Sequence, residues 1–170
     1  MVPSRANDAA HVIRLHGPWE GSKGGIRNSE FGTDGDEART DASVVQKPDR
    51  VKVPLDFGDW LEPSFRGNVV LERAFGLPTN LDEQQSVHLV LKIDQLAIRS
   101  VAINENTLPP GTNTSQAAGS NLKDGSDGVS LLRHEITSHL KARNRLRLNL
   151  TVDSKPSGGL VHAAIEIFGC

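Results

Sequence analysis

A chain of 170 residues, 36% hydrophobic and 24% charged, suits one domain with one core, and at that size roughly 70% of the unfolded surface can be buried, so no covalent staple is needed. A formal net charge of -2 gives no general attraction for nucleic acid or anionic membranes, and 4% aromatic residues with no tyrosine argue against a wide stacking platform. The single cysteine, Cys170, excludes an internal disulfide, while residues 1–10 lack the apolar run of a secretory signal and no stretch approaches the ~18 apolar residues of a membrane span. The expectation is therefore a cytoplasmic protein.

Taken in chain order, the elements are short strands. His11–Leu15 and Val51–Pro54 are brief candidates. Val69–Phe75 places Val69, Leu71, Arg73 and Phe75 on one face, because strand side chains alternate. An arginine on that row calls for a buried partner, and Asp94 is the candidate. Val87–Ile93 aligns Val87, Leu89, Leu91 and Ile93, and Ala97–Asn104 and Val129–His134 follow. Glu135–Leu140 is the best helical turn. The cleanest strand is Asn144–Asp153, where Leu146, Leu148, Leu150 and Val152 alternate with Arg145, Arg147, Asn149 and Thr151. Gly159–Phe168 closes the chain with Val161, Ala163, Ile165 and Ile167 on one face. About eight strands with turn signals between them predict an all-β antiparallel sandwich or barrel. Residues 1–170 read as a single domain with flexible loops at Glu20–Lys47 and Leu108–Gly128.

No motif carries catalysis, a cofactor or a metal. His134 and His139 are five residues apart, whereas the zinc helix needs a spacing of four. Asp124 and Asp127 lie among glycines but lack the later glutamate of a calcium loop, so a flexible acidic turn is the better reading. Asp56 with Asp59, and Asp82 with Glu83, are adjacent carboxylates without the spacing of a glycosidic acid/base pair. The row Lys141, Arg143, Arg145 and Arg147 reads as a solvated face rather than a phosphate site. Trp19 and Trp60 are the two tryptophans, each either packed in a core or rim or exposed as a sugar platform.

Several of these pieces, in order, resemble the sugar-binding domain of family 2 glycoside hydrolases. They are Gly17-Pro18-Trp19, then Val53-Pro54 before Trp60, then Gly67 ahead of the strand that ends Arg73-Ala74-Phe75. After them come the Leu89–Asp94 strand, the Val101–Asn104 strand, Glu135-Ile136-Thr137 and Asn144-Arg145-Leu146. The resemblance covers roughly residues 12–152 and implies a galactose-binding-like jelly roll. Two departures stand out: the usual Asn-Gly turn is Asn104-Glu105 here, and the Gly-Gly-aromatic stretch after it is replaced by the Leu108–Gly128 loop. Family catalytic residues lie on a barrel outside the matching region, so none is carried over.

The resemblance implies a non-catalytic carbohydrate-binding module. Trp60 would stack on a sugar at the sandwich rim, and Asn104 and His134 would hydrogen-bond its hydroxyls. The alternative is an interaction or self-association domain with a protein partner and no sugar site. Neither reading calls for a metal, a cofactor, nucleic acid or a membrane.

Overall fold

Period-two apolar rows set the architecture. The computed structural model describes residues 11–25, 47–94, 97–109, 112–113 and 129–169. Numbered in chain order, its strands form two antiparallel sheets. Sheet I runs β1 (His11–Arg14), β12 (Gly159–Phe168), β6 (Ser86–Asp94), β10 (Val129–Glu135) and β9 (Thr112–Asn113), with β4 (Leu55–Asp56) also paired to β12. Sheet II runs β3 (Asp49–Val51), β2 (Trp19–Gly25), β5 (Gly67–Gly76), β11 (Arg143–Val152), β7 (Ala97–Ile103) and β8 (Asn106–Thr107). The long strands β5, β6, β7, β10, β11 and β12 fall alternately in sheets II and I, so the chain repeatedly crosses between layers. This is the expected β-sandwich of the jelly-roll kind.

Between the sheets lies one core. Leu89, Leu91, Leu146 and Leu148 are all fully buried, as the alternation requires. Each such leucine contributes about 1.5–3 kcal/mol relative to an exposed one, which makes these rows the main determinant of the fold. The longest pairing, β11 with β5, runs unbroken from Arg143↔Gly76 to Val152↔Gly67 and holds Leu146, Leu148 and Leu150 against Arg73, Leu71 and Val69. Trp19 is also fully buried, and its indole nitrogen donates to the Leu15 carbonyl at 2.7 Å, so the buried polar atom is satisfied.

The structure departs from the sequence expectations in four places. First, Glu20–Lys47 is not all loop, because β2 extends to Gly25 and pairs with β5 from Glu20↔Glu72 to Gly25↔Gly67. The remainder of that segment, and most of Leu108–Gly128 including Asp124 and Asp127, lies outside the described residues. Second, Val161 does not join the core row. The register shifts between Leu160 and His162, so Leu160 turns inward and Val161 is exposed. Third, Arg73 does not meet Asp94. Its Nη1 donates to the Pro18 carbonyl at 2.6 Å, while Asp94 ends β6 on the other sheet. Fourth, a short helix α1 (Phe57–Trp60) follows β4, capped by Asp56 Oδ1, which accepts from the Gly58 N–H at 2.7 Å.

The expected helical turn after β10 is a 3-10 turn, Thr137–His139. It docks on β6 through the Thr137 hydroxyl, which accepts from Val87 N–H at 2.9 Å, and through Ile136 N–H, which donates to Val87 C=O at 2.8 Å.

Candidate functional site

The outward face of sheet II carries a dense set of polar and charged side chains. Alternation on β11 turns Arg143, Arg145, Arg147 and Asn149 away from the core, while β5 turns out Glu72 and β2 turns out Glu20. Glu20, Glu72, Arg147 and Ala102 stand side by side across β2, β5, β11 and β7. Glu72 is the hub of this row. One carboxylate oxygen lies 2.9 Å from Arg145 Nη2 and the other 3.4 Å from Arg147 Nε. Arg145 also reaches Glu20 at 3.8 Å. Farther along, the Asn149 amide donates to the Ser100 hydroxyl at 2.6 Å.

Two neighbouring concavities share Glu72, Asn104, Arg143 and Arg145. The larger, of about 600 Å³, lies toward β7 and β8 and is lined also by Ser100, Arg147 and Asn149. The smaller, of about 490 Å³, lies toward β2 and β3. Volumes of this size suit a small ligand, within the roughly 300–1,000 Å³ of ordinary ligand pockets.

The concavities end at a tight hairpin. Ile103 pairs with Asn106, and the two residues between them have positive φ, 51° at Asn104 and 75° at Glu105. That is the type I′ pattern, in which an Asn-Gly pair is favoured because a side chain is strained at positive φ. Glu105 therefore occupies a position better suited to glycine. Asn104 locks the hairpin to the start of β11. Its amide donates to the His139 carbonyl at 3.0 Å and to Asn144 Oδ1 at 2.9 Å, and its own Oδ1 accepts from Arg145 N–H at 2.9 Å.

The three residues expected to bind sugar do not converge. Asn104 lines both concavities, but its side chain holds the hairpin, so it shapes the site more than it presents a donor. Trp60 packs at the opposite side of sheet II, with its ring against Gly21 of β2. A Cβ on Gly21 would come within 2.6 Å of that ring, so the glycine is what admits it. Gly21, which Trp60 packs against, lies on β2, three strand spacings or roughly 14 Å across the sheet from β7, which leads into Asn104. The ring is also engaged: its N–H donates to Asp49 at 3.0 Å and the Lys23 ammonium stands 5.0 Å from its centroid. The hydrogen bond from Lys23, and then that from Trp60, hold the Asp49 carboxyl below the usual carboxylate range.

His134 lies elsewhere. It is 6% exposed and faces the core beside Leu132, not the rim, and its Nε2 has no hydrogen-bond partner among the described residues. The alternation Leu132–His134 carried that signal in the sequence. What the sequence reading missed is the outward row of β5 and β11 as a shared concave surface. The arginines are exposed, as expected, but Glu72 and Asn149 join them in one site. The adjacent carboxylates have local roles: Asp56 caps α1, and Asp82 accepts from the Glu83 N–H at 3.0 Å. No group of three or more potential metal ligands occurs among the described residues, and no helix there is long and apolar enough to cross a membrane.

No family model matches the sequence, and no curated protein matches it. Solved structures do share its fold. A beta-glucuronidase of Bifidobacterium dentium, complexed with coumarin-3-O-glucuronide, gives a TM-score of 0.61 at 17% identity, covering 100% of this chain and 32% of that one. The FMN-binding beta-glucuronidase of Faecalibacterium prausnitzii L2-6 gives 0.61 at 15% identity, covering 95% of this chain and 23% of that one. A glycosyl hydrolase family 2 member of Bacteroides cellulosilyticus DSM 14838 gives 0.59 at 11% identity, covering 93% and 21%. This chain therefore spans from about a fifth to a third of the length of those proteins. The resemblance to family 2 glycoside hydrolases read from the motifs is matched by the architecture: the chain has the fold of one domain of such enzymes.

Proposed function

We propose that this chain is a non-catalytic carbohydrate-binding domain and that its sugar lies across the outward face of sheet II. The observation that carries this reading is the concavity of about 600 Å³ lined by hydrogen-bonding side chains on a rigid sheet. Arginine, asparagine and serine groups fixed by strands match the many hydroxyls of a sugar ring, and strands hold them more accurately than loops would. A non-catalytic role fits the commitments of the carboxylate at its centre. Glycoside hydrolysis by paired carboxyls needs one of them to protonate the leaving oxygen. Glu72 instead has both oxygens on arginines.

A glycan array followed by calorimetric titration tests the proposal. Binding that is weakened at least tenfold by Arg147→Ala, and little changed by Trp60→Ala, places the sugar on sheet II. Loss of binding with Trp60→Ala alone, in a protein with an unchanged circular-dichroism spectrum, would move the site to the β2 edge. The second reading, an interaction or self-association domain, is favoured by one feature: among the described residues no aromatic side chain lines the concavity. Absence of binding to every glycan on the array would select it.

A further inference from the structure

We infer that the ligand of the sheet II face is an acidic sugar, one bearing carboxylate or sulfate groups; this rests on the carbohydrate-binding reading above. The whole chain carries a net charge of -2, yet the larger concavity is lined by four cations, Lys141, Arg143, Arg145 and Arg147, against the two carboxylates Glu72 and Glu105. The smaller repeats the imbalance, with Arg50 and Arg73 beside Arg143 and Arg145, against Glu20 and Glu72. Positive charge is thus concentrated on one face of an acidic protein. A concave surface also focuses such a field toward an incoming anion.

The pairing pattern leaves that charge available. Arg145 and Arg147 share the single carboxylate of Glu72, and among the described residues only Arg145 pairs with a second acid, Glu20, at the long distance of 3.8 Å. Two guanidiniums present roughly ten N–H donors between them, far more than the oxygens that meet them. Lys141 and Arg143 form no ion pair with any described residue. Arg143, Arg145 and Arg147 stand at every second residue of β11, so their backbone positions are spaced by about 6.8 Å. That row can meet successive anionic groups along a chain. The planar fork of each arginine fits carboxylate or sulfate through two parallel hydrogen bonds, which a neutral hydroxyl cannot accept.

The neutral partners decide for a sugar over nucleic acid. Asn149, Ser100 and Thr107 stand among the arginines and suit hydroxyl groups. Among the described residues no aromatic ring lines the face to stack a base, which single-stranded nucleic acid recognition uses heavily.

The full chain is titrated at low salt with four probes: an oligogalacturonate, the matching neutral galacto-oligosaccharide, a heparin-derived oligosaccharide and a short DNA duplex. One or both acidic oligosaccharides are expected to bind at least tenfold more tightly than the neutral one. That affinity is expected to fall about tenfold or more between about 0.02 and 0.3 M salt, because exposed charges are screened over a Debye length. Oligogalacturonate and heparin arms separate carboxylate from sulfate as the preferred group. The double variant Lys141→Glu/Arg143→Glu changes two exposed side chains that pair with no described acid, and is expected to abolish acidic binding without altering the circular-dichroism spectrum. Equal or tighter binding of the neutral oligosaccharide overturns the inference and leaves the carbohydrate-binding reading intact. Tighter binding of DNA overturns it in favour of nucleic acid, and no binding of any sugar overturns both.

Discussion

The two sheets share a core yet treat their outward faces differently. On sheet I, Arg133, Val90, Ala164 and Arg14 stand side by side across β10, β6, β12 and β1. Val90 is only 4% exposed and Ala164 is fully buried, although both lie outside the shared core. The cover comes from long side chains. Arg133 crosses β6 to pair with Glu166 at 2.6 Å, and its guanidinium lies 5.3 Å from the centroid of Phe168, against which His88 also packs edge-on. On sheet II the equivalent row is Glu20, Glu72, Arg147 and Ala102, and its charged groups border open concavities. Along these rows the sheet I face is covered by its own side chains, and the sheet II face borders concavities. The same strand periodicity produces both, so periodicity alone does not locate a binding face. What distinguishes them is whether long side chains lie over small apolar ones.

The largest expected effect tests what the sheets have in common. Leu148→Ala removes a fully buried side chain at the centre of β11 and should destabilise the protein by about 2–5 kcal/mol, read from the urea unfolding midpoint. A loss below about 1 kcal/mol would mean that β11 does not face a packed core. The next effect addresses the difference itself. Val90→Ala on the covered face should cost about 1.5–2.5 kcal/mol, since it deletes roughly two buried carbons and leaves a void. Val70→Ala, at a half-buried outward position of β5, should cost less than about 1 kcal/mol. Equal losses at the two positions would remove the distinction between a closed and an open face.

Much of this division was legible in the sequence. The rows of β6 and β11 were plain, because each alternates over a full strand without a break. β2 was not. Its inward positions are Trp19, Gly21 and Lys23, a row with one large apolar residue, and Gly21 is there to admit Trp60 from another element. No local pattern announces a glycine required by a residue 39 positions away. Val161 was misplaced for a similar reason, since a bulge shifts every later residue of a strand to the other face and leaves no mark in hydrophobicity. The candidate site was half legible. The arginine row of β11 was visible as an exposed face, but its partner Glu72 and the concavity depend on how β5 and β7 lie beside it. Trp60 drew the reading away, because scarce aromatics invite a functional role whether or not they have one.

Acid should separate the sheets further. His88 on β6, His134 on β10 and His162 on β12 all belong to sheet I, and burial holds each below the ordinary histidine range. Nearby cations, Arg14 foremost, push His162 the same way. A histidine with a lowered folded pKa is protonated more readily in the unfolded chain, so its contribution is complete above about pH 6.5 and is lost as the pH falls below that value. Stability is expected to decline between about pH 6.5 and 5. His134→Leu should flatten that decline and cost little at pH 7, because it also removes a buried nitrogen that has no hydrogen-bond partner. Urea midpoints at several pH values check this, and an unchanged slope in the variant would assign the acid sensitivity elsewhere.

The smallest effect concerns the open face. Glu105 adopts φ 75° at the second position of the β7–β8 hairpin, where a side chain is strained by about 1 kcal/mol and glycine is not. Glu105→Gly should therefore stabilise the protein, by less than about 1 kcal/mol because glycine also loses more backbone freedom on folding. The substitution also deletes a carboxylate from the larger concavity, leaving four cations against Glu72 alone. An acidic sugar should then bind more tightly, whereas a neutral ligand that uses the Glu105 carboxylate as an acceptor should bind more weakly. Stability and affinity thus respond to one residue in directions that can be measured independently. A variant that is less stable would show that the Glu105 side chain makes contacts outweighing its backbone strain. A more stable variant with weakened binding would mean that this strained glutamate is kept at the rim to hold the ligand.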